Sequence, residues 1–210
     1  MIAVVCAVPA ERRALAGLAG PDVTLHLSGI GAPAAARTAR GLPAGLRAIV
    51  SAGFCGALDP ALRVGDLVAA DVVADEGTGD RFPADPGLLA AAPGRRGTLV
   101  TAVRLARTPA DRARLDGTAV DLESAALARA AAADGIPFLA LRAVTDESRH
   151  RLPDFDRLMD AAGRLTPGAG LVHFVLHPRE VPALLRLGPA SRTAGRALHD
   201  GLESLLEVVR

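Results

Sequence analysis

Short apolar runs rich in Val, Ile and Leu recur from the N-terminus to about residue 150 and alternate with Ala-rich segments that carry scattered arginines. Apolar runs bounded by Gly, Pro or Asp are typical of buried strands. They predict strands over residues 2–7, 23–27, 48–51, 66–73, 97–101 and 138–144. The Ala-rich segments predict helices over residues 10–18, 33–41, 109–115 and 124–134. Because the two kinds of segment interleave, we expect one α/β domain over residues 1–210 with a largely buried sheet.

The last part of the chain, about residues 152–210, differs in pattern and is expected to be helical, with a pair of helices near the C-terminus. It contains apolar patches at residues 171–176 and 181–187. The final segment, residues 196–209, has apolar residues near helical spacing: Leu198, Leu202, Leu205, Leu206 and Val209. These helices either cover the sheet and complete the core, or form an apolar surface that receives a substrate tail or makes a peripheral membrane contact.

Composition excludes several classes of chemistry. The net charge is +1, and all 24 residues counted as Lys or Arg are Arg, because the chain contains no Lys. Asn, Gln, Tyr and Trp are absent too. A Schiff-base or P-loop lysine, an N-glycosylation site and a side-chain amide that reads a base edge are therefore excluded. No basic field favours nucleic acid as a partner, so polar recognition must use Asp, Glu, Arg, Ser, Thr, His or backbone groups.

Cys6 and Cys55 lie in apolar segments, where a free cysteine behaves as a small hydrophobic residue. The sequence has no disulfide framework and no metal-ligand spacing, and we expect neither a metal nor a cofactor. The N-terminal apolar run at residues 1–6 has no basic segment before it, so it predicts a first strand instead of a signal peptide. No apolar stretch reaches the length of a membrane span. We therefore expect a cytoplasmic protein.

A glycine turn, with Ser28, Gly29 and Gly31, follows the predicted strand at residues 23–27 and leads into a helix. It satisfies the G-x-G-x-x-A pattern of dinucleotide sites. That pattern needs an acidic residue about 20 positions later to hold the ribose, and the next predicted strand ends without one. An NAD-type oxidoreductase is therefore disfavoured. Backbone N–H groups at such a turn can equally bind a phosphate, a ribose or a nucleophilic water.

Four charged residues stand beside predicted elements. Asp121 and Glu123 precede an Ala-rich helix, where carboxylates either interact with the helix dipole or hydrogen-bond the vicinal hydroxyls of a sugar. Arg142 is embedded in the apolar strand at residues 138–144, and Asp146 follows that strand. A charge in an apolar strand needs a partner or a ligand. Ligands bind at the carboxyl ends of strands in open α/β sheets, which favours a functional role for Asp146.

In their order and spacing, the glycine turn and residues 51–68, 119–126 and 138–148 resemble the purine nucleoside phosphorylase/uridine phosphorylase superfamily. Within it, residues 1 to about 150 are similar to the methylthioadenosine/adenosylhomocysteine nucleosidases. The C-terminal part, with residues 151–153 and 182–187, looks more like the hopanoid-associated nucleosidases, whose expected reaction releases adenine from adenosylhopane. The resemblance implies a single domain with a mixed, twisted central β-sheet flanked by helices. It also implies a homodimer or higher homo-oligomer that takes a small-molecule nucleoside.

The resemblance implies roles for particular residues. Asp146 matches the catalytic acid that donates a proton to N7 of the departing purine, and Glu11 matches the glutamate that activates water. Glu123 matches the carboxylate that binds the ribose 2′- and 3′-hydroxyls. Leu122 stands where the family usually has Met against the ribose face, and Asp121 stands where the family often has Glu.

Three positions favour hydrolysis over phosphorolysis. The bacterial phosphorylases that this chain resembles hold phosphate with arginines at the positions of Glu11 and Ser51 and with a serine at the position of Phe54. A carboxylate would repel a phosphate dianion, whereas beside water it can act as a general base. Arg142 matches an arginine near the nucleophile. Arg142 or the turn at Gly29 and Gly31 could still hold an anion, so phosphorolysis stays open.

The segment that would contact the base has no aromatic residue. In the nucleosidases a Phe-containing segment stacks on adenine, whereas residues 101–106 offer aliphatic contacts, such as Leu105, or a contact through Arg104. Apolar residues around the 5′ side would suit a bulky hydrophobic substituent. We therefore expect a purine nucleosidase that acts on an adenosylhopane-like or methylthioadenosine-like nucleoside. A non-catalytic nucleoside- or adenine-binding module is the alternative.

Overall fold

The fold is that of a computed structural model, which describes residues 1–153 and 181–209. Within these residues, the strands and helices are, in chain order, β1 (Ile2–Cys6), α1 (Pro9–Leu15), β2 (Val23–Leu27), α2 (Ala32–Arg40), β3 (Ala48–Ala57), β4 (Leu67–Asp75), β5 (Arg81–Pro83), α3 (Pro86–Ala91), β6 (Arg95–Thr101), α4 (Pro109–Arg112), β7 (Ala119–Asp121), α5 (Ser124–Ala133), β8 (Phe138–Asp146) and α6 (Val181–Val209). A 3-10 turn, Ala16–Leu18, follows α1 directly.

The strands form one mixed sheet that closes on itself. β1 pairs in parallel with β2 and β3, and β3 pairs in parallel with β8. β8 runs antiparallel to β4, which pairs in parallel with β6, and β6 pairs in parallel with β7. β7 returns antiparallel to the end of β3, so that β3, β8, β4, β6 and β7 complete a ring. The expected α/β domain with a mixed central sheet and flanking helices is therefore confirmed.

The main elements lie where the apolar pattern predicts them, but several boundaries differ. β3 continues past residue 51 to Ala57, β8 continues to Asp146, and α4 ends at Arg112 instead of residue 115. Three elements have no counterpart in the prediction: β5, α3 and β7. With 3, 6 and 3 residues they are too short to show a period in the sequence. β7 matters most, because it closes the ring.

The described C-terminal residues form one long helix, α6, and the rest of the stretch for which the pair of helices is predicted lies outside the described residues. The apolar patch at residues 181–187 belongs to this helix, and the patch at residues 171–176 lies outside the described residues. The apolar row of α6 is buried and joins the apolar layer on one face of the sheet: Ala194, Leu198, Leu202, Leu205 and Leu206. In this part α6 completes the core. Among the described helices, none is long and apolar enough to cross a membrane.

Candidate active site

β3 passes through the middle of the residues that the sequence singles out. The Gly53 backbone lies so close to two of them that an added Cβ would be 2.2 Å from Nη1 of Arg142 and 2.7 Å from Oε1 of Glu11. Only glycine fits such an approach. Further along the same strand, Gly56 pairs with Asp146 across the β3–β8 ladder. Glu11, Arg142 and Asp146 therefore meet along the carboxyl-terminal half of β3, which is where ligands bind in sheets of this kind.

Glu11 is buried at the start of α1 and accepts three backbone hydrogen bonds. Oε2 accepts from Ala7 at 2.7 Å and from Val8 at 2.9 Å, and Oε1 accepts from Phe54 at 2.7 Å. Burial raises the pKa of the Glu11 carboxyl, while Arg142 and the three N–H groups lower it. A carboxylate oxygen has two acceptor sites, so Oε1 can accept one further hydrogen bond from a water molecule.

Glu123 joins the glycine turn to the start of α5. Its Oε1 accepts a hydrogen bond of 2.8 Å from the N–H of Gly31, which precedes α2 with a φ of 91°. Burial raises the pKa of the Glu123 carboxyl, and Asp121 raises it further, whereas Arg142 lowers it. The N–H that begins α2 is thus committed to a carboxylate of the same chain. An anionic ligand at this turn would have to compete with the Glu123 carboxyl for this N–H.

Arg142 is 1% exposed and is held by a buried polar network. Its Nη2 donates to Oδ2 of Asp121 at 2.5 Å, to Ser51 at 2.7 Å and to Ser124 at 2.8 Å. Asp121 also accepts from the Thr101 hydroxyl through Oδ1 at 2.7 Å. The charge in the apolar strand therefore has an internal partner. Asp121 makes these bonds inside the fold, which explains why a shorter acid suits this position.

Arg142→Met is expected to lower the free energy of unfolding by about 3–5 kcal/mol, because it leaves Asp121 buried without its partner charge. Arg129→Met is the matched control, because Arg129 also forms ion pairs, with Asp75 and Asp80, but its side chain is 44% exposed. Exposed ion pairs contribute little, so the control should lose far less stability. Equilibrium unfolding in urea measures both variants. Equal losses would contradict a buried charge network at Arg142.

Asp146, at the end of β8, is buried and has a partner that the sequence prediction missed. Its Oδ2 forms an ion pair with Nη2 of Arg112, and its Oδ1 accepts a hydrogen bond of 2.8 Å from the Thr145 hydroxyl. Burial raises the pKa of the Asp146 carboxyl, and Arg112 and Thr145 lower it. The sequence contains 24 arginines, and nothing in its pattern indicates that Arg112 turns inward.

The remaining predicted substrate residues lie around these carboxylates at varying depth. Leu122 is half-buried and packs against a small cluster that contains Ala106. Leu105 is half-buried in the loop after β6, and Arg104 in the same loop is exposed. Ser28 donates to the Cys6 carbonyl at 3.3 Å and so ties the glycine turn to the end of β1. Their contacts with a substrate stay predictions.

Chemically, the site offers three carboxyl groups whose pKa values burial raises: Glu11, which can accept a water, Glu123 beside the glycine turn, and Asp146 at the end of β8. Separate environments for neighbouring carboxyl groups are the usual means of dividing acid and base roles. In the described part of the chain, no group of three or more His, Cys, Asp or Glu side chains is placed to hold a metal ion. The arrangement suits acid–base chemistry at a polar bond.

The chain belongs to the Phosphorylase superfamily, whose family model matches residues 3–166. Among solved structures, it is similar to an S-adenosylhomocysteine nucleosidase from Streptococcus pyogenes, with 19% identity, coverage of 100% of this chain and 97% of the other, and a TM-score of 0.76. A 5′-methylthioadenosine/S-adenosylhomocysteine nucleosidase from Neisseria meningitidis has 18% identity, with coverage of 98% of each chain and a TM-score of 0.73. Futalosine hydrolase of Helicobacter pylori has 14% identity, with coverage of 98% of this chain and 97% of the other and a TM-score of 0.74. No protein of curated function matches the chain.

At these identities the structural neighbours establish a shared fold, including the mixed sheet and its flanking helices. A fold hosts many functions, so the activity must be argued from the site.

Proposed function

We propose that this protein is a purine nucleosidase that hydrolyses the N-glycosidic bond of an adenine nucleoside with an apolar 5′ substituent. The observation that carries the proposal is that Glu11 and Asp146 meet along β3 while Glu123 lies between the glycine turn and the start of α5, each buried and each in a different hydrogen-bonding environment. Nucleosidases and a hydrolase among the structures of this fold support the same reaction class.

In this reaction Asp146 protonates N7 of the purine while the C1′–N9 bond breaks and its electron pair leaves with the base. Glu123 accepts hydrogen bonds from the ribose 2′- and 3′-hydroxyls, and its negative charge stabilises the oxocarbenium character that develops on the sugar. Glu11 removes a proton from water as the water oxygen bonds to C1′. The acid and the base then act on opposite sides of the sugar, as in glycosidases.

Two contacts support hydrolysis over phosphorolysis. Arg142, whose charge lowers the pKa of Glu11, is already bound through Nη2 to Asp121, Ser51 and Ser124. The Gly31 N–H, which could have bound an anion, donates to Glu123. A phosphate would thus meet two carboxylates and an arginine whose charge is compensated. Water is neutral, so the carboxyl groups do not repel it.

Release of base from a nucleoside panel, with and without phosphate, tests the proposal. The panel contains adenosine, methylthioadenosine, inosine and an adenosyl-lipid. We expect adenine release without phosphate, free ribose or its 5′-substituted form as the second product, and faster turnover as the 5′ group becomes more apolar. Ribose 1-phosphate formation would instead assign a phosphorylase. Adenine binding without release from any member would assign a binding module.

The 5′ substituent is the finer part of the proposal, and we propose an adenosylhopane-like or a methylthioadenosine-like group. The similarity of residues 151–153 and 182–187 to hopanoid-associated nucleosidases supports the first. In the panel, the ratio of kcat/KM for the adenosyl-lipid to that for methylthioadenosine decides between them. A pocket that gains or loses one methylene group changes this ratio about 10–200-fold.

The rate should depend on pH through two carboxyl groups. Glu11 acts deprotonated, so the rate falls as the pH drops through its pKa, which burial raises. Asp146 acts protonated, so the rate falls as the pH rises through its pKa, which burial also raises. We expect a bell-shaped profile of kcat/KM whose two limbs both lie above the ordinary range of exposed carboxyl groups. A rate independent of pH between 4 and about 9 would contradict both assignments.

A further inference from the structure

Arg112 is buried beside Asp146, and its guanidinium is bound through all three nitrogens. It is 3% exposed and Asp146 is 5% exposed. Nε donates to the Ala106 carbonyl at 3.2 Å, Nη1 donates to the Glu147 carbonyl at 2.6 Å, and Nη2 forms the ion pair with Oδ2 of Asp146. One side chain thus ties the loop after β6 to the end of β8.

The segment that carries Arg112 is itself fixed. Thr108 and Asp111 cap α4 reciprocally: the Asp111 N–H donates to the Thr108 hydroxyl at 3.1 Å, and the Thr108 N–H donates to Oδ2 of Asp111 at 2.9 Å. Such a capping box defines where a helix begins. The Leu152 N–H also donates to the Arg107 carbonyl at 2.9 Å, so the chain beyond β8 is bound to the same loop.

The two oxygens of Asp146 have partners of different strength. Oδ2 faces a cation that cannot lose its proton. Oδ1 accepts from the Thr145 hydroxyl at 2.8 Å, and that hydroxyl has a second acceptor, the Cys55 carbonyl, at 3.3 Å. Rotation of the hydroxyl to Cys55 would free Oδ1, whereas Oδ2 stays held.

We propose that Arg112 is a positioning residue that anchors Oδ2 of Asp146, so that Oδ1 is the oxygen that carries the proton and delivers it to the purine. The inference rests on the proposed function. In the reaction the proton moves from Oδ1 to N7, the C1′–N9 bond breaks, and Asp146 becomes an anion. Arg112 attracts this anion more strongly than the neutral acid, so the ion pair favours the transition state over the ground state.

Among the residues that the structure describes, the titratable or charged groups that interact with Asp146 include Arg112 from α4, Cys55 from β3 and His150 from the chain after β8. Burial raises the pKa of the Cys55 thiol far above its usual value, which leaves that group neutral. Arg112 and His150 both lower the pKa of Asp146. A His150→Ala variant therefore has to accompany any pH experiment.

The test compares Arg112→Met, Arg112→Lys and a control, Arg114→Met, whose arginine is exposed just beyond α4. The measurement is kcat/KM for adenine release against pH, together with kcat. Loss of the Arg112 charge should move the alkaline limb about 1–3 pH units upward and lower kcat about 10–100-fold. Arg112→Lys keeps the charge without the planar fork, so its limb should stay near the wild-type position while kcat falls.

Each outcome decides a separate question. If Arg112→Met lowers kcat at every pH without moving the limb, or changes neither, the role of Arg112 is overturned. If His150→Ala abolishes the alkaline limb, the limb reports the imidazole and not Asp146, and the assignment is again overturned. Wild-type protein that releases no base would overturn the proposed function, and this inference with it. Movement of the limb in Arg112→Met alone supports the anchored Oδ2.

Discussion

Asp146→Asn is expected to lower kcat for adenine release by about 10²–10⁴-fold, because an amide cannot deliver a proton to the departing purine. Binding should change much less, since the substitution preserves the shape of the side chain. The variant also leaves Arg112 buried with only two carbonyl partners, Ala106 and Glu147. A loss of stability of about 3–5 kcal/mol is therefore expected as well, at pH values above the pKa of Asp146, where the wild-type pair is charged. Single-turnover kinetics and urea unfolding measure the two effects.

The double variant Asp146→Asn/Arg112→Met separates chemistry from folding. It removes both members of the ion pair, so no charge is left buried alone, and replacement of a whole buried pair costs far less than breaking it. We expect it to recover most of the stability lost by Asp146→Asn and none of the turnover. Recovery of turnover together with stability would mean that Asp146 is structural and that the proton comes from another group.

Local sequence patterns predict much of this fold, because most strands and helices are long enough to show a period. β2 lies at the predicted residues, and β1, α2 and α5 differ by a residue at their ends. Ring closure could not be predicted in the same way. It depends on β7, whose Gly56–Val120 and Ala57–Ala119 pairs join residues far apart in the chain. Pairing across such a separation leaves no local period in the sequence.

In the candidate site too, local sequence marks individual residues, whereas their partners come from distant parts of the chain. Asp146 follows an apolar strand, and Glu123 precedes an Ala-rich helix, so the sequence alone marks both. Which charges neutralise each other is decided only when distant segments meet. Arg142 finds Asp121, 21 residues away, and Arg112 finds Asp146, 34 residues away. The resemblance places an acid at 121 but cannot tell that its bonds turn inward to an arginine.

The same limit applies to Glu11, whose position at the start of α1 suits two roles. As a helix-capping acid it would only accept the Val8 N–H, as the acids at many helix starts do. In the structure it also accepts from Phe54 on β3 and lies beside Gly53. A capping role alone does not require that approach. The contact with β3 is what links this acid to the centre of the site.

Glu11→Gln distinguishes the two roles, and we expect it to lower the rate of hydrolysis about 10²–10⁴-fold, since an amide cannot take the proton from water. The amide group must also face one of the N–H donors, at Ala7, Val8 or Phe54. That mismatch should cost about 1–3 kcal/mol of stability. Phosphate should restore no turnover, because Arg142 stays bound to its internal partners.

Asp85→Asn is the matched control for Glu11→Gln. Asp85 caps α3 by accepting the Leu88 N–H at 2.9 Å, away from the residues around β3. The carboxyl-to-amide change there removes a charge at the start of a helix. Because Asp85 is not a general base in the proposed reaction, kcat should be unchanged. If Glu11→Gln and Asp85→Asn both keep near-normal turnover, Glu11 is a helix cap and the water is activated elsewhere. Loss of turnover in Glu11→Gln alone assigns the general base, since both variants change a carboxyl group at the start of a helix.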